Sequence, residues 1–168
     1  MGLDFDPIAE ARRNWDANAW AAADAMDAAT SITRAHQIVL RRIDETLAPF
    51  GLTFSRFEAL ALLAFSKQEA LPLGKMGDRL QVHPTSVTNT IDRLERDGLV
   101  ERQAHPTDGR TTLAVLTEQG RTIVQQAQEA LARVNFGLGT LGTPALQAIR
   151  DDVAPLRHGA GDVVDGLT

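Results

Sequence analysis

The sequence predicts a mainly α-helical fold with a small β-hairpin wing, in which a winged helix-turn-helix lobe lies between amino- and carboxy-terminal dimerisation helices. Val87, Ile91 and Leu94 are spaced by four and three residues, so they share one face of a helix that begins near Pro84. A shorter apolar pattern stops at Gln81, which leaves only two residues between the two helices. A hairpin-like segment follows. Two short helices, a tight turn and a hairpin together indicate a helix-turn-helix with a wing.

The hairpin is predicted for residues 99–116. Gly98 terminates the preceding helix, and residues 99–103 can form the first strand. Turn-forming residues occupy positions 104–109, and an alternating segment at 110–116 can return as the second strand.

Helices are also predicted on both sides of the lobe, from apolar repeats at threes and fours and from cap residues. Thr53, Thr117 and Thr143 are expected to cap the helices that follow them, and Phe65 is expected on the packed side of the helix after Thr53. Residues 67–72 are expected to form a polar connector. We divide the single predicted domain, residues 1–168, into amino-terminal helices at 5–48, the winged lobe at 53–117, carboxy-terminal helices at 118–157 and a flexible tail at 158–168.

The terminal helices carry apolar faces that the small lobe cannot cover. Ile32, Val39 and Leu47 repeat along one of them, and Ile149 and Leu156 repeat along another. A symmetric homodimer formed by pairing these ends would bury both faces. The alternative is that the faces pack within one chain, since 168 residues are enough to hold such a core.

Composition excludes several kinds of site. The chain has no cysteine, which excludes disulfides, thiolate metal sites and thiol redox sensing. Its four histidines are scattered, with no pair at metal-ligand spacing. The sequence also lacks a phosphate loop, a nucleophile elbow and an acid pair placed for acid-base catalysis. We therefore expect neither an enzyme nor a metal or other cofactor.

The sequence contains no sign of export or membrane insertion. The amino terminus is acidic and lacks a basic region followed by an apolar core. The longest wholly apolar run, Ala59 to Phe65, is too short to cross a bilayer. We expect a cytoplasmic protein without membrane contact.

The charge balance argues against long-range attraction to nucleic acid. The net charge is −5, and residues 73–110 contain six basic and six acidic side chains. Binding to a polyanion would require the acids to turn toward the body and the arginines toward phosphates, and we expect modest, salt-sensitive affinity. The alternative that this balance favours is a winged-helix module that binds protein.

Two short motifs carry a resemblance to a known family. These are Asp-Gly-Arg at 108–110 in the predicted wing and Leu-Thr-Glu-Gln-Gly at 116–120 after it. With the winged helix-turn-helix, they resemble the MarR (multiple antibiotic resistance regulator) family of bacterial transcription factors over roughly residues 30–153. The resemblance implies a homodimer on a pseudo-palindromic operator in double-stranded DNA, most often acting as a repressor.

Polar side chains on the outward face of the second helix are candidates for DNA contact. Asparagine can pair bidentately with adenine, and hydroxyls are more permissive toward base edges and phosphates. An arginine at the wing tip could enter the minor groove. Solvent exposure without contact, and pairing of Arg110 with Asp108, are the alternatives. The candidates are Thr85, Ser86, Thr88, Asn89, Arg93 and Arg110, with Asp108 and Gly109 shaping the wing turn.

Two further residues, together with Arg93, resemble the ligand pocket of the urate-responsive branch of the family. Trp15, Glu58 and Arg93 match a tryptophan, an aspartate and an arginine of that pocket, with glutamate here in place of aspartate. The longer carboxylate reshapes the pocket, so another small organic anion or aromatic effector, such as a purine, a tricarboxylic acid or a phenolic acid, is as open as urate. The alternative is that Trp15 is ordinary core, Glu58 a solvated acid and Arg93 a phosphate contact.

Overall fold

Seven α-helices and three short strands make up residues 4–166, the part of the chain that the computed structural model describes. Single 3-10 turns at Ala48–Phe50 and Asn135–Gly137 follow α2 and α6. The elements in chain order are α1 (Pro7–Ala17), α2 (Ala23–Leu47), α3 (Phe54–Ala64), β1 (Ala70–Pro72), α4 (Leu73–Leu80), α5 (Pro84–Arg96), β2 (Val100–Ala104), β3 (Thr112–Leu116), α6 (Glu118–Arg133) and α7 (Thr143–Gly159). The predicted class, mainly helical with a small sheet, is confirmed.

The chain divides into two compact units, one ending at Gly137 and the other beginning at Leu138. The buried core belongs to the first unit and runs from Ile43 in α2 to Leu131 in α6. Val87, Ile91 and Leu94 are all buried in it, as their spacing predicts. The prediction for the packed side of α3 was wrong at Phe65, which is 85% exposed. Leu63, which the pattern did not include, is fully buried instead.

The sheet has three antiparallel strands in the order β1-β3-β2, rather than the two strands of the predicted hairpin. Ala104 pairs with Thr112 at the wing end of β2 and β3. On the other side of β3, Leu71 of β1 pairs with Ala114. The prediction of a polar connector at 67–72 was wrong for β1, because a strand of three residues is too short to show alternation and is made by its pairing with β3.

Two of the three predicted helix caps differ from the structure. Thr117 caps α6 as expected, since its hydroxyl accepts from the Gly120 amide at 3.0 Å. Thr53 makes no capping bond, and Asp44 of α2 instead accepts from the Phe54 amide at 2.8 Å. Thr143 is already the first residue of α7, so Gly142 occupies the cap position. A local sequence pattern shows neither an acceptor on another helix, such as Asp44, nor a helix start that is displaced by one residue.

The terminal helices leave apolar residues exposed in the single chain. Ile32 is 48% exposed on α2, and α7 contains no buried residue. Helix α7 also continues through His158 and Gly159, which the sequence pattern assigns to the tail, while residues 167–168 of that tail lie outside the described range. The predicted dimer and domain limits remain predictions.

No single helix within residues 4–166 combines the length and apolar content needed to span a bilayer. Only the α2 segment through Phe50 taken together with α3 meets both criteria, and these two are bent by 69° with respect to each other.

We predict that Gly120→Ala destabilises the fold strongly. A Cβ at Gly120 would lie 2.1 Å from the Leu99 carbonyl oxygen and 2.9 Å from a Leu116 methyl, so α6 would have to move away from the sheet. We expect a loss of about 2 kcal/mol or more in the free energy of unfolding, measured by urea denaturation. The control is Gly74→Ala in α4, where a Cβ meets nothing within 4 Å. Equal stability of the two variants would contradict the packing described for α6.

Candidate nucleic-acid interface

The turn between α4 and α5 sets the direction of α5. Gln81 closes α4 in the left-handed conformation, with φ of 54°, and the Val82 amide donates to the Gly77 carbonyl at 3.1 Å. A Cβ on Gly77 would lie 3.3 Å from the Val82 carbonyl oxygen, so a glycine allows this close approach. His83 then caps α5, since its Nδ1 accepts from the Thr85 amide at 3.3 Å. Because the turn is held at both ends, the start of α5 has a defined position.

The predicted contact residues of α5 lie on its exposed side, opposite the buried stripe. Thr85, Asn89 and Arg93 are spaced by four and form one outward row, and Ser86 lies beside it. The Thr85 hydroxyl is bonded to His83 Nδ1 at 3.1 Å. Within the described residues, no internal hydrogen bond is recorded for the side chains of Ser86 and Asn89, so both keep their full capacity for a partner.

Thr88 lies on a different side of α5. Its hydroxyl donates to the Pro84 carbonyl at 3.1 Å, and it shares this side with Asp92 and Glu95. That side faces β2, where Arg102 is held. Thr88 is exposed like the other short polar candidates on α5, but it lies on the side of the helix that carries the acids bound by Arg102.

Arg102 ties the wing to α5 and occupies both acids of that side. Its guanidinium donates to Asp92 at 2.5 Å and also to Glu95, and its backbone amide donates to Glu95 at 3.2 Å. Partial burial by itself lowers the pKa of Arg102, but the hydrogen bonds to Asp92 and Glu95 outweigh it and raise the pKa. We call these three residues the Arg102 clamp. Arg102 enters the sequence prediction only as a charge, although two acids three residues apart on a helix that precedes a strand are a usable signal.

A second arginine holds the other end of α5. Arg56 of α3 forms an ion pair with Asp97, which ends α5, and donates to the Gly51 carbonyl at 2.7 Å. This contact joins residues 41 positions apart, so α3 and α5 are linked by charge as well as by apolar packing.

Other basic side chains of the lobe are left available. Within residues 4–166 no ion pair is recorded for five exposed basic side chains of α4, α5 and the wing. The Arg102 clamp and the Arg56 pair meanwhile hold three of the acids. A lobe that is neutral by count therefore holds half of its six acids in ion pairs and keeps five of its six basic groups available. The five are Lys75, Arg79, Arg93, Arg96 and Arg110.

The wing turn is shaped by Asp108. Its carboxylate accepts from the Thr111 hydroxyl at 2.7 Å and from the Arg110 backbone amide at 3.1 Å, and these two bonds lower the pKa of Asp108. Among the described residues, no ion pair joins the Arg110 guanidinium to Asp108. The backbone of Gly109 is outside the left-handed region, and a Cβ added there would meet nothing within 4 Å, so the turn does not depend on a glycine.

Trp15, Glu58 and Arg93 are not brought together in the single chain. The Trp15 ring nitrogen donates to the Ala21 carbonyl at 2.9 Å, and its ring meets Trp20 edge to face at 4.9 Å. These local contacts account for Trp15 without a ligand. Glu58 is exposed as a whole, yet desolvation on one side raises the pKa of its carboxyl group.

Glu58 lies at the edge of two cavities. One, of about 300 Å³, lies between α3, α4 and α5 and is lined by Ser86 and Thr90 of α5. The other, of about 510 Å³, is a groove whose walls include Phe54, Phe57, Leu62, Phe65 and Phe136. Trp15 and Arg93 line neither cavity. Within residues 4–166, no three acidic or histidine side chains are grouped so that they could hold a metal ion.

Comparison with known proteins agrees with this geometry. The sequence profile of the MarR family matches residues 52–112, from the start of α3 through the wing. The HTH-type transcriptional regulator MhqR of Bacillus subtilis is 33% identical over 89 residues, which are 53% of this chain and 60% of that relative. The chain therefore matches less than two thirds of MhqR.

Solved structures extend the similarity to nearly the whole of another protein. Sco5413, a MarR family transcriptional regulator from Streptomyces coelicolor, is 48% identical, with a TM-score of 0.78 over 84% of this chain and 99% of that one. Sco3205 from the same organism, a MarR family regulator solved in complex with DNA, shares the fold, with a TM-score of 0.77 over 85% of this chain and 91% of that one at 20% identity. These proteins are regulators rather than enzymes. The winged helix-turn-helix, the profile match and the similarity to Sco5413 place the chain in the MarR family of transcriptional regulators.

Proposed function

We propose that the chain is a double-stranded DNA-binding transcriptional repressor, which inserts α5 into the major groove and the wing into the minor groove. The observation that carries this proposal is the division of charge on the lobe. Asp92 and Glu95 are held by Arg102, while Arg93, Arg96 and Arg110 are exposed without an ion pair in the described chain. A surface of this kind can approach phosphates although the chain has a net charge of −5.

The division of roles on this surface follows from side-chain chemistry. Ser86 and Asn89 have free hydrogen-bonding groups and suit base edges, whereas arginines suit phosphates and the narrow minor groove. Thr85 is bonded to His83 but its oxygen keeps acceptor capacity. In this proposal Thr88 contributes less than its neighbours, because its hydroxyl is committed to Pro84.

The proposal includes a homodimer on a pseudo-palindromic operator. Ile32 of α2 is exposed in the single chain, and α7 carries Ile149 and Leu156 exposed as well. Pairing of two chains through such helices would bury these side chains and present two copies of α5. Two copies would read half-sites about one helical turn, roughly 10 base pairs, apart.

The finer part of the proposal is that a small organic effector releases the operator. The cavity between α3, α4 and α5 borders Ser86 and Thr90, so a ligand near it would bias the position of α5. The expected effectors are small organic anions and aromatic compounds. The larger cavity beside Glu58 is lined by phenylalanine side chains, which favours an aromatic compound. Of the three predicted effector residues, Glu58 is the one that we place at the site.

We predict that selection from random duplexes enriches a pseudo-palindrome with half-sites about 10 base pairs apart. Affinity for the enriched duplex should fall steeply with salt, because phosphate contacts release counterions. Fluorescence anisotropy between 50 and 200 mM salt, two concentrations between which losses of this kind are large, measures the slope. No enrichment, together with a flat salt dependence, would favour the winged-helix module that binds protein.

We predict different effects for Asn89→Ala and Arg110→Ala. Loss of a base contact at Asn89 should cost about 1–3 kcal/mol and relax the preference at one operator position. Loss of Arg110 from the wing should weaken binding to all duplexes and make the salt slope shallower by about one. The control is Gln126→Ala, exposed on α6. If both variants bind as the parent does, this surface is not the DNA contact.

We predict that Arg102→Met weakens operator binding on the order of tenfold at low salt, because it leaves Asp92 and Glu95 uncompensated beside the phosphates. Adding Asp92→Asn and Glu95→Gln should restore much of the affinity, since the repulsive charges are then gone. Circular dichroism confirms that each variant is folded. A triple variant that binds no better than Arg102→Met would show that neutralisation of the acids is not the role of the clamp.

A further inference from the structure

Glu58 is the only ionisable residue in the walls of both cavities that it borders within the described chain. Among the described residues, no lysine, arginine or histidine lines either one. We call the larger cavity, bounded by Phe54, Phe57, Phe65, Phe136 and Glu58, the phenylalanine groove. Its volume of about 510 Å³ is in the range of sites for small organic ligands.

The groove presents aromatic rings in several orientations. Phe54 and Phe57 are nearly parallel, with ring centroids 6.5 Å apart and an interplanar angle of 13°. Phe136 meets Phe57 at 63°, with centroids again 6.5 Å apart. Phe65 adds a ring that is 85% exposed, which is unusual for a residue of this size. Ring faces carry negative partial charge and therefore attract cations as well as planar apolar groups.

The carboxylate of Glu58 lacks a charged partner. Within residues 4–166 no ion pair or hydrogen bond is recorded for its side chain, in contrast to Asp92, Glu95 and Asp97 of α5 and its end. Desolvation by partial burial raises the pKa of the Glu58 carboxyl group, so its charged form is less stable than in water. A positively charged ligand would supply the missing partner, whereas an anion would meet the Glu58 carboxylate. Arg121 lines an adjoining cavity that shares Phe57 and Phe65 with this groove, but it is already paired with Glu69.

We propose that the phenylalanine groove binds a small planar aromatic cation, which packs against the phenylalanine rings and pairs its charge with Glu58. This deepens the effector part of the proposed function and rests on it for the regulatory consequence, but the binding itself does not require DNA. It replaces the organic anion that the resemblance suggests. Leu80 lines both cavities together with Glu58, so the ligand would lie next to the cavity that borders α5.

The test uses the purified full-length protein and three probes of similar shape and different charge. These are N-methylquinolinium as the cation, quinoline as the neutral ring and 1-naphthoate as the anion. Isothermal titration calorimetry at pH 8, where quinoline is neutral, measures each Kd. We expect the cation to bind roughly tenfold or more tightly than the anion, with quinoline between them.

Variants separate the charge from the ring faces. Glu58→Gln keeps the shape and should weaken binding of the cation roughly tenfold while leaving quinoline nearly unchanged. Phe65→Leu changes an exposed side chain, so it should preserve folding. It should weaken binding of the cation, because one ring face is lost. The matched control is Glu45→Gln, an exposed glutamate on α2 outside both cavities, which should bind all three probes as the parent does.

Three results would overturn the proposal. The first is naphthoate binding as tightly as the cation, and the second is an unchanged Kd for the cation in Glu58→Gln. The third is no binding of any probe, which is expected if a second copy of the chain fills the groove. The operator duplex found by selection is then titrated with the cation. Binding without release of the duplex would support the groove proposal and refute the effector part of the proposed function, whereas failure of the selection would refute DNA binding irrespective of the groove.

Discussion

Burial of three aliphatic side chains of α5 is the constraint on which the lobe depends. Val87, Ile91 and Leu94 enter the core that α3 and the sheet complete, and this burial fixes the rotation of α5 about its own axis. Once that rotation is fixed, Thr85 and Asn89 must face solvent, because they lie on the opposite side of the helix. Burial of each side chain of this size contributes about 1.5–3 kcal/mol to the free energy of unfolding. Rotating α5 by a third of a turn would expose all three side chains and would therefore cost several times that amount.

Ion pairs add to the apolar packing in holding α5 in place. Arg56 links the end of α5 to α3, and the Arg102 clamp links its middle to β2, so helix and wing are held as one surface. Exposed ion pairs usually contribute little to stability, and their importance here is that they occupy acids that would otherwise face a polyanion. The net charge of the chain is therefore a poor guide to the local field at α5.

Glu58 lies between the cavity that borders α5 and the phenylalanine groove. On one side it borders the cavity that reaches Ser86 and Thr90 of α5, and on the other it borders the phenylalanine groove. A ligand that changes the environment of Glu58 would act beside a cavity that Ser86, on the surface proposed for DNA, also lines. Trp15, in contrast, satisfies its ring nitrogen on Ala21 and packs against Trp20, so it stabilises the junction of α1 and α2 without any ligand.

The sequence by itself determined the helices, the buried stripe of α5, the turn after Gln81 and the cap at Thr117, because each depends on residues within one or two turns of one another. The order of the elements and the family resemblance follow from the same local signals. Only the tertiary structure decided the third strand, the exposure of Phe65, the cap that Asp44 supplies to α3, and which acids of the lobe are held by arginines. Each of these depends on how different elements pack against one another, and the periodicity within one element does not specify which elements meet.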